Sequence, residues 1–383
     1  TDNGTGALTA THDISVTVTN VNEVPVITSA NTFSQEENTL DEFTVVATDV
    51  DAGSNIAYSI SGGTDGARFQ INSSTGVLMF SGFVPNFEAP LFSADNDYEV
   101  EVTASDGALA ATQTITVSVT NVNEAPVITG GPTATATFVE NATSTVIDVA
   151  HSDVDASSSI AYSLTGSVDD DLFAIVEGTG VVTFISAPDF ETKLGGTGDD
   201  SNDYVIEVTA SDGALSDTQT ITVSVTNVNE APVITGGPTA TATFVENATS
   251  TVIDVAHSDV DASSSIAYSL TGSVDDDLFA IVEGTGVVTF ISAPDFETKL
   301  GGTGDDSNDY VIEVTASDGA LSDTQTITIS VTNVNDNNPV FTTSAFTNIA
   351  EEQRAVGTAA ATDADGDALT FTLAGTGADN GLF

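Results

Sequence analysis

The chain has 383 residues, of which 57 are Asp or Glu and only 4 are Lys or Arg, for a formal net charge of −53. Forty per cent of the residues are hydrophobic, enough to build cores, so a disordered acidic tail is excluded. The sign of the charge excludes a binder of nucleic acid or anionic lipid, and the absence of cysteine excludes disulfides, thiolate metal sites and cysteine nucleophiles. A compact fold carrying this charge repels itself, so bound cations are the economical stabiliser, and carboxylate oxygens favour a hard ion such as calcium. The apolar runs are a handful of residues long, too short for a membrane span.

One string punctuates the chain. It reads VTNVNEVPVIT from Val18, VTNVNEAPVITG from Val119 and again from Val225, and VTNVNDNNPVF from Val331. Its marker residues Asn20, Asn121, Asn227 and Asn333 stand 101, 106 and 106 residues apart, and residues 121–226 differ from 227–332 only at Val223 against Ile329. The spacing predicts tandem repeats over 23–124, 125–230 and 231–336. Residues 1–22 are read as the end of a preceding repeat. Residues 337–383 are read as the start of another, with DNGLF paralleling DDDLF, so the chain is read as a fragment of a longer repetitive protein.

In chain order, the second repeat offers strands at STVIDVA and SIAYSLTG, then a hairpin at FAIVEGTGVVTFI about Gly178-Thr179-Gly180. The run YVIEVTASDG sets Tyr204, Ile206 and Val208 against Val205, Glu207 and Thr209. The run TQTITVSVTNV sets Ile221, Val223 and Val225 against Thr220, Thr222 and Ser224. No stretch carries a helical apolar stripe. The expected fold is all-β: tandem seven-stranded antiparallel Greek-key β-sandwiches in a linear array.

Acidic motifs recur at fixed places along these strands. In the second repeat they are FVEN (Glu140, Asn141), SDVDA (Asp153, Asp155), PDFE (Asp189, Glu191), ASDG (Asp212) and NVNE (Asn227, Asn229, Glu230). This ordered set resembles the cadherin repeat, whose marks are an E-N pair, D-x-D, D-x-E, A-x-D-x-G and a D-x-N-D-N-x-P linker; NVNDNNPVF at Asn333–Phe341 is near a full linker. The resemblance implies calcium ions between consecutive repeats. Its first ligand set is Glu37, Glu88, Asn123, Glu124, Asp153, Asp155 and Asp212. The second is Glu140, Asp189, Glu191, Asn229, Glu230, Asp259, Asp261 and Asp318. The third is Glu246, Asp295, Glu297, Asn335, Asp336, Asp363 and Asp365. Towards the N-terminus, Asn22 and Glu23 would meet Asp49, Asp51 and Asp106.

Three departures from the family pattern stand out. Asn86-Phe87-Glu88 replaces one carboxylate by an amide. The linkers at Asn20, Asn121 and Asn227 carry Glu where the family has Asp and are one residue shorter before Pro, where the longer side chain can compensate. Glu351-Glu352-Gln353 lacks the Asn of the E-N pair.

Other features read as structural. Asp169–Asp171, with Asp199, Asp200 and Asp203, reads as solvated loop faces. His151 and His257 read as strand-end surface residues, because imidazole suits transition metals better than calcium. Tyr162 and Tyr268 read as packing residues, and the sequons at Asn141 and Asn247 as coincidence, since they lie within the proposed calcium motif. The chain is not expected to be an enzyme: its paired carboxylates repeat in every unit, whereas an active site is normally unique.

The functional expectation is an extracellular or cell-surface, calcium-rigidified extender serving in cell adhesion, similar to the stalks of large bacterial adhesins. The alternatives are repeats that themselves bind surface glycans or like repeats on another cell, in homophilic adhesion, or an appendage of a secreted polysaccharide-degrading enzyme.

Overall fold

A computed structural model describes the chain apart from residues 1–4, 6–8, 52, 54, 93, 156–158, 194–201, 262–264, 301–307, 345, 347–349 and 374–383. The sequence features at Asp199, Asp200 and 379–383 lie outside the described residues. The chain divides into two compact units. One comprises Thr1–Thr137, Thr143–Ser186 and Gly195–Ser224, and the other Phe138–Ala142, Ala187–Leu194 and Val225–Phe383. This division falls inside the second sequence repeat.

Up to residue 124, the strands of the first unit are β1 (Val26–Ile27), β2 (Thr32–Glu36), β3 (Phe43–Thr44), β4 (Ala47–Thr48), β5 (Ala57–Gly62), β6 (Phe69–Ile71), β7 (Val77–Phe80), β8 (Asp97–Ser105) and β9 (Ala110–Thr120). They form a four-stranded sheet in the order β2-β9-β8-β5, a three-stranded sheet β3-β7-β6, and a short β1-β4 pair. The period-two reading holds. Tyr98, Val100, Val102 and Ala104 on β8, with Ile115, Val117 and Val119 on β9, are buried against Phe43, Phe69, Leu78 and Phe80 of the other sheet. The pairing is antiparallel except that β2 runs parallel to β9.

That exception comes from a break in the first strand. β1 pairs with β4, and the chain then crosses to pair β2 with β9. In the second unit the crossing is made by Gly236 and Gly237, with φ of 99° and 86°, followed by Pro238. Those angles suit glycine, and Gln325 Nε2 donates to the Gly237 carbonyl at 2.7 Å, fixing the crossover to the last strand. Thr239–Val245 then runs parallel to Ser322–Thr332, which pairs antiparallel with Asp309–Ser317.

The predicted hairpin forms, with Phe173–Ile175 antiparallel to Val181–Phe184. Its strict glycine is Gly180, where φ is 77° and a Cβ would lie 2.4 Å from the Val149 carbonyl oxygen. The segment matching β9 near the N-terminus behaves differently from β9. Ile14, Val16 and Val18 correspond to buried Ile115, Val117 and Val119, yet all three are exposed and form no strand among the described residues. Alternation alone does not bury a face; a partner sheet must cover it.

The Asp169–Asp171 run corrects the sequence reading. Asp169 is 1% exposed, and its Oδ2 accepts the Val205 N–H at 2.8 Å. Asp170 accepts the N–H groups of Gly166 at 2.6 Å, Ser167 at 2.9 Å and Glu207 at 3.1 Å. Asp169 and Asp170 are thus a clasp holding the 3-10 turn Asp170–Leu172 to the neighbouring strand, because a short acidic side chain satisfies backbone donors that the turn leaves open, while Asp171 and Asp203 are exposed as expected. Asp275 and Asp276 repeat it in the second unit. Tyr162 and Tyr268 are buried as expected, and their hydroxyls meet His151 and His257 Nδ1 at 2.6 Å. The histidines sit in exposed strand ends.

Candidate metal centres

The E-N glutamates come from the end of the first long strand. There the chain turns through an asparagine in the left-handed region, with φ of 60° at Asn38, 59° at Asn141 and 62° at Asn247. Asn tolerates that conformation better than most residues. Glu352 takes it at 71°, filling the place of the missing Asn in the last repeat.

Each glutamate is buried and accepts two backbone N–H groups. Glu246 accepts Phe296 N–H at 2.7 Å and Val334 N–H at 2.6 Å, one from the D-x-E loop and one from the linker. Glu140 does the same with Phe190 and Val228, and Glu37 with Phe87 and Val122. This stitching holds three separate segments together and leaves their acidic groups facing one another.

The resulting carboxylate groups, each with oxygens within 4.8 Å of one another, are as follows. The first unit holds Glu37, Glu88 and Glu124. The second holds Glu140, Asp189 and Glu191, then Glu191, Glu230 and Asp261. It also holds Glu246, Asp295 and Glu297, then Glu297, Asp336 and Asp365. Among the described residues these groups contain no histidine.

The remaining predicted residues position the linkers. Asp155 Oδ2 accepts the Glu124 N–H at 2.8 Å, and Asp261 Oδ2 the Glu230 N–H at 2.8 Å. Asp51 does the same for Glu23 at 2.9 Å. Asp49, Asp153, Asp259 and Asp363 each accept the N–H of the second Asp in their own D-x-D. Asn22, Asn123 and Asn229 donate at 2.7 Å to Asp106, Asp212 and Asp318. Asn335 donates instead to Asp367, which sequence reasoning did not single out.

Sequence reasoning also left Asn38, Asn141 and Asn247 out of the site. Their Nδ2 groups donate to Glu124 at 2.8 Å, Glu230 at 2.6 Å and Asp336 at 2.6 Å. The amide nitrogens of the sequon asparagines are therefore engaged by the linker. Their φ values could not be read from sequence, but the recurring E-N pairing was the available signal.

The short linkers now have a physical account. In the long one, Asp336 Oδ2 meets Asn247 while Asn337 N–H meets Asp365 at 2.8 Å. In the shorter one, Glu230 performs both tasks, its N–H meeting Asp261 and its side chain reaching Asn141. One extra methylene replaces one residue of chain. Glu230→Asp is therefore expected to lose the Asn141 contact and, if the cluster takes calcium, to weaken its uptake about tenfold, while Asp336→Glu changes it less than threefold. Calorimetric calcium titration of the two variants checks this.

The donor set fits a hard cation. Buried carboxylate oxygens without a hydrogen-bond donor include Glu88 Oε2, Glu124 Oε2, Asp153 Oδ2, Glu230 Oε2, Asp259 Oδ2 and Glu297 Oε1. Desolvation, then the Glu140 carboxylate, pushes the Glu230 carboxyl up, against the opposing Asn141 hydrogen bond. Desolvation likewise raises Glu124, with Glu37 and Asp155 adding to it. Asp212 and Asp318 are lowered instead, chiefly by the N–H groups of Leu215 and Leu321. Oxygens crowded without donors are stabilised by a divalent ion accepting six to eight oxygen ligands, whereas zinc or copper sites draw on nitrogen or sulfur.

These observations define an all-β, polyanionic repeat segment with carboxylate clusters where one repeat hands over to the next. No family model matches the chain. Human protocadherin Fat 1 is 31% identical over 337 residues, covering 82% of this chain and 7% of Fat 1. Human cadherin EGF LAG seven-pass G-type receptor 2 is 31% identical over 386 residues, covering 94% of this chain and 12% of the receptor. The chain thus spans about a tenth of the length of these curated relatives.

Among solved structures, mouse cadherin-23 EC22-24 aligns with a TM-score of 0.53 and 22% identity over 82% of this chain and all of that one. Human CDH23 EC21-23 aligns with 0.55 and 20% identity over 80% of this chain and all of that one. The chain is a run of cadherin-like tandem repeats, an extracellular segment of the kind found in cell-surface adhesion proteins. The named relatives are a protocadherin and a cadherin receptor.

Proposed function

We propose that the segment is a calcium-rigidified extender in a large surface or secreted adhesin, with repeats bounded at 23–124, 125–230 and 231–336. The observation that carries this reading is the recurrence, at successive linkers, of buried carboxylate oxygens with no donor beside them. Bound calcium would join strand end, D-x-E loop and linker on one side to the D-x-D and A-x-D-x-G aspartates on the other. Each junction would lose bending freedom as the ion binds. Residues 121–226 and 227–332 are identical but for one position, which suits a spacer whose units do one mechanical job. Exposed carboxylates left over from the ligand set keep such a polymer soluble and non-sticky.

Small-angle scattering tests this reading. The maximum dimension of the full chain is expected to grow when calcium replaces chelator, and an unchanged distance distribution would sink the proposal. Retention of the isolated chain on a glycan array, with no calcium-dependent change in dimension, would favour direct recognition by the repeats instead.

A further inference from the structure

The linkers are not equivalent, and the difference lies in one atom. Three D-x-E-type loops share a backbone turn. Asn86 Oδ1 accepts the Ala89 N–H at 2.6 Å, Asp189 Oδ1 the Thr192 N–H at 2.6 Å, and Asp295 Oδ1 the Thr298 N–H at 2.7 Å. The turn therefore occupies the same oxygen in all three. What remains at Asp189 and Asp295 is a second carboxylate oxygen, and each residue joins a three-carboxylate group with its neighbouring glutamates. What remains at Asn86 is an NH2, a donor with no lone pair to offer, whose partial positive charge opposes a cation.

One of the clusters at the later linker needs the aspartate: Glu140, Asp189 and Glu191 have as their counterparts Glu37, Asn86 and Glu88, with one carboxylate fewer. In the first unit, among the described residues, the linker at Asn123–Glu124 has the single group Glu37, Glu88 and Glu124. The linker at Asn229–Glu230 has two groups that share Glu191. Buried oxygens at Glu88 and Glu124 still lack donors, so the first linker keeps a binding site, but one with fewer anionic ligands. Calcium affinity follows ligand charge and count.

We infer that the chain carries a built-in soft point, resting on the calcium reading above: the Asn123–Glu124 linker releases calcium and becomes flexible at concentrations that still hold the Asn229–Glu230 linker rigid. Asn86 is the residue that sets this difference. A falling calcium level would then bend the segment first at one defined place rather than loosen it throughout.

Hydrogen exchange of the full chain, followed by mass spectrometry during titration with calcium chloride, tests the inference. Peptides 106–124 and 212–230 are distinguishable because Ala110-Ala111 in one stands where Ser216-Asp217 stands in the other. Protection of the 106–124 linker amides is expected at about tenfold higher calcium than those of 212–230. Asn86→Asp should bring the two curves together, and Asp189→Asn should move the 212–230 curve up towards the other. Coincident curves in the unmodified chain, unmoved by either substitution, overturn the soft point while leaving calcium binding intact. Two curves that ignore calcium altogether overturn the calcium reading and the soft point with it.

Discussion

Withdrawing calcium with EGTA is expected to lower the melting temperature of the chain by roughly 10–20 °C. A ligand held only by the folded state contributes about 2.7 kcal/mol at a hundredfold excess over its dissociation constant. For a domain of about 100 residues, each kcal/mol moves the midpoint by about 4–8 °C. The expectation rests on the structure because the carboxylates of Glu191, Glu230 and Asp261 have oxygens within 4.8 Å of one another, and Glu230 Oε2 is buried with no donor beside it. Without the ion, that repulsion falls on a fold with no disulfide to hold it. Differential scanning calorimetry with calcium, with EGTA and with magnesium is the measurement. Magnesium should restore less, since it demands near-octahedral geometry and gives up its waters reluctantly. Identical traces in all three would remove the ion from the account.

The second large effect is expected at Glu246, which is 3% exposed and accepts two backbone N–H groups from segments distant in sequence. Glu246→Ala leaves the Phe296 and Val334 donors buried without an acceptor. At about 1.5–3 kcal/mol for each hydrogen bond to a charged group, the local loss is about 3–6 kcal/mol. Glu246→Gln keeps one acceptor oxygen but points an NH2 at the other donor, so about half that loss is expected. Denaturant unfolding separates this structural role from cation binding. In EGTA the loss at Glu246 should persist, whereas Asp295→Asn, whose Oδ1 can still accept the Thr298 N–H, should be nearly silent there and costly with calcium present. A silent Glu246→Ala in EGTA would show that the stitch does not hold the segments.

Much of this molecule was legible in its sequence, for identifiable reasons. Alternation along Tyr204-Ile206-Val208 and Ile221-Val223-Val225 is a local property of strands, and all six side chains are buried as the pattern required. The near-exact repeat fixed the recurrence of every motif, so one reading served several places. The amide at Asn86 and the exchange of Glu for Asp in the shorter linkers were visible as departures from a pattern. What they do was not: the compensation by Glu230 becomes clear only when its N–H is seen at Asp261 and its carboxylate at Asn141.

The misreading of Asp169 has the same origin. An acidic run in a loop suggests solvent, but the backbone donors of Val205 and Glu207, 36 and 37 residues away from their acceptors, decide otherwise. The parallel pairing of β2 with β9 likewise depends on a crossover that side-chain periodicity does not encode.

The sequence by itself determined the fold class, the repeat length and the inventory of carboxylates, because strand periodicity, turn residues and charge are written locally. Only the tertiary structure decided which of those carboxylates are clasps, which crowd together, and which oxygen of each D-x-E-type loop the backbone turn occupies. Those outcomes depend on partners 50 and 88 residues away, as at Glu140, brought within hydrogen-bonding distance by the packing of two sheets.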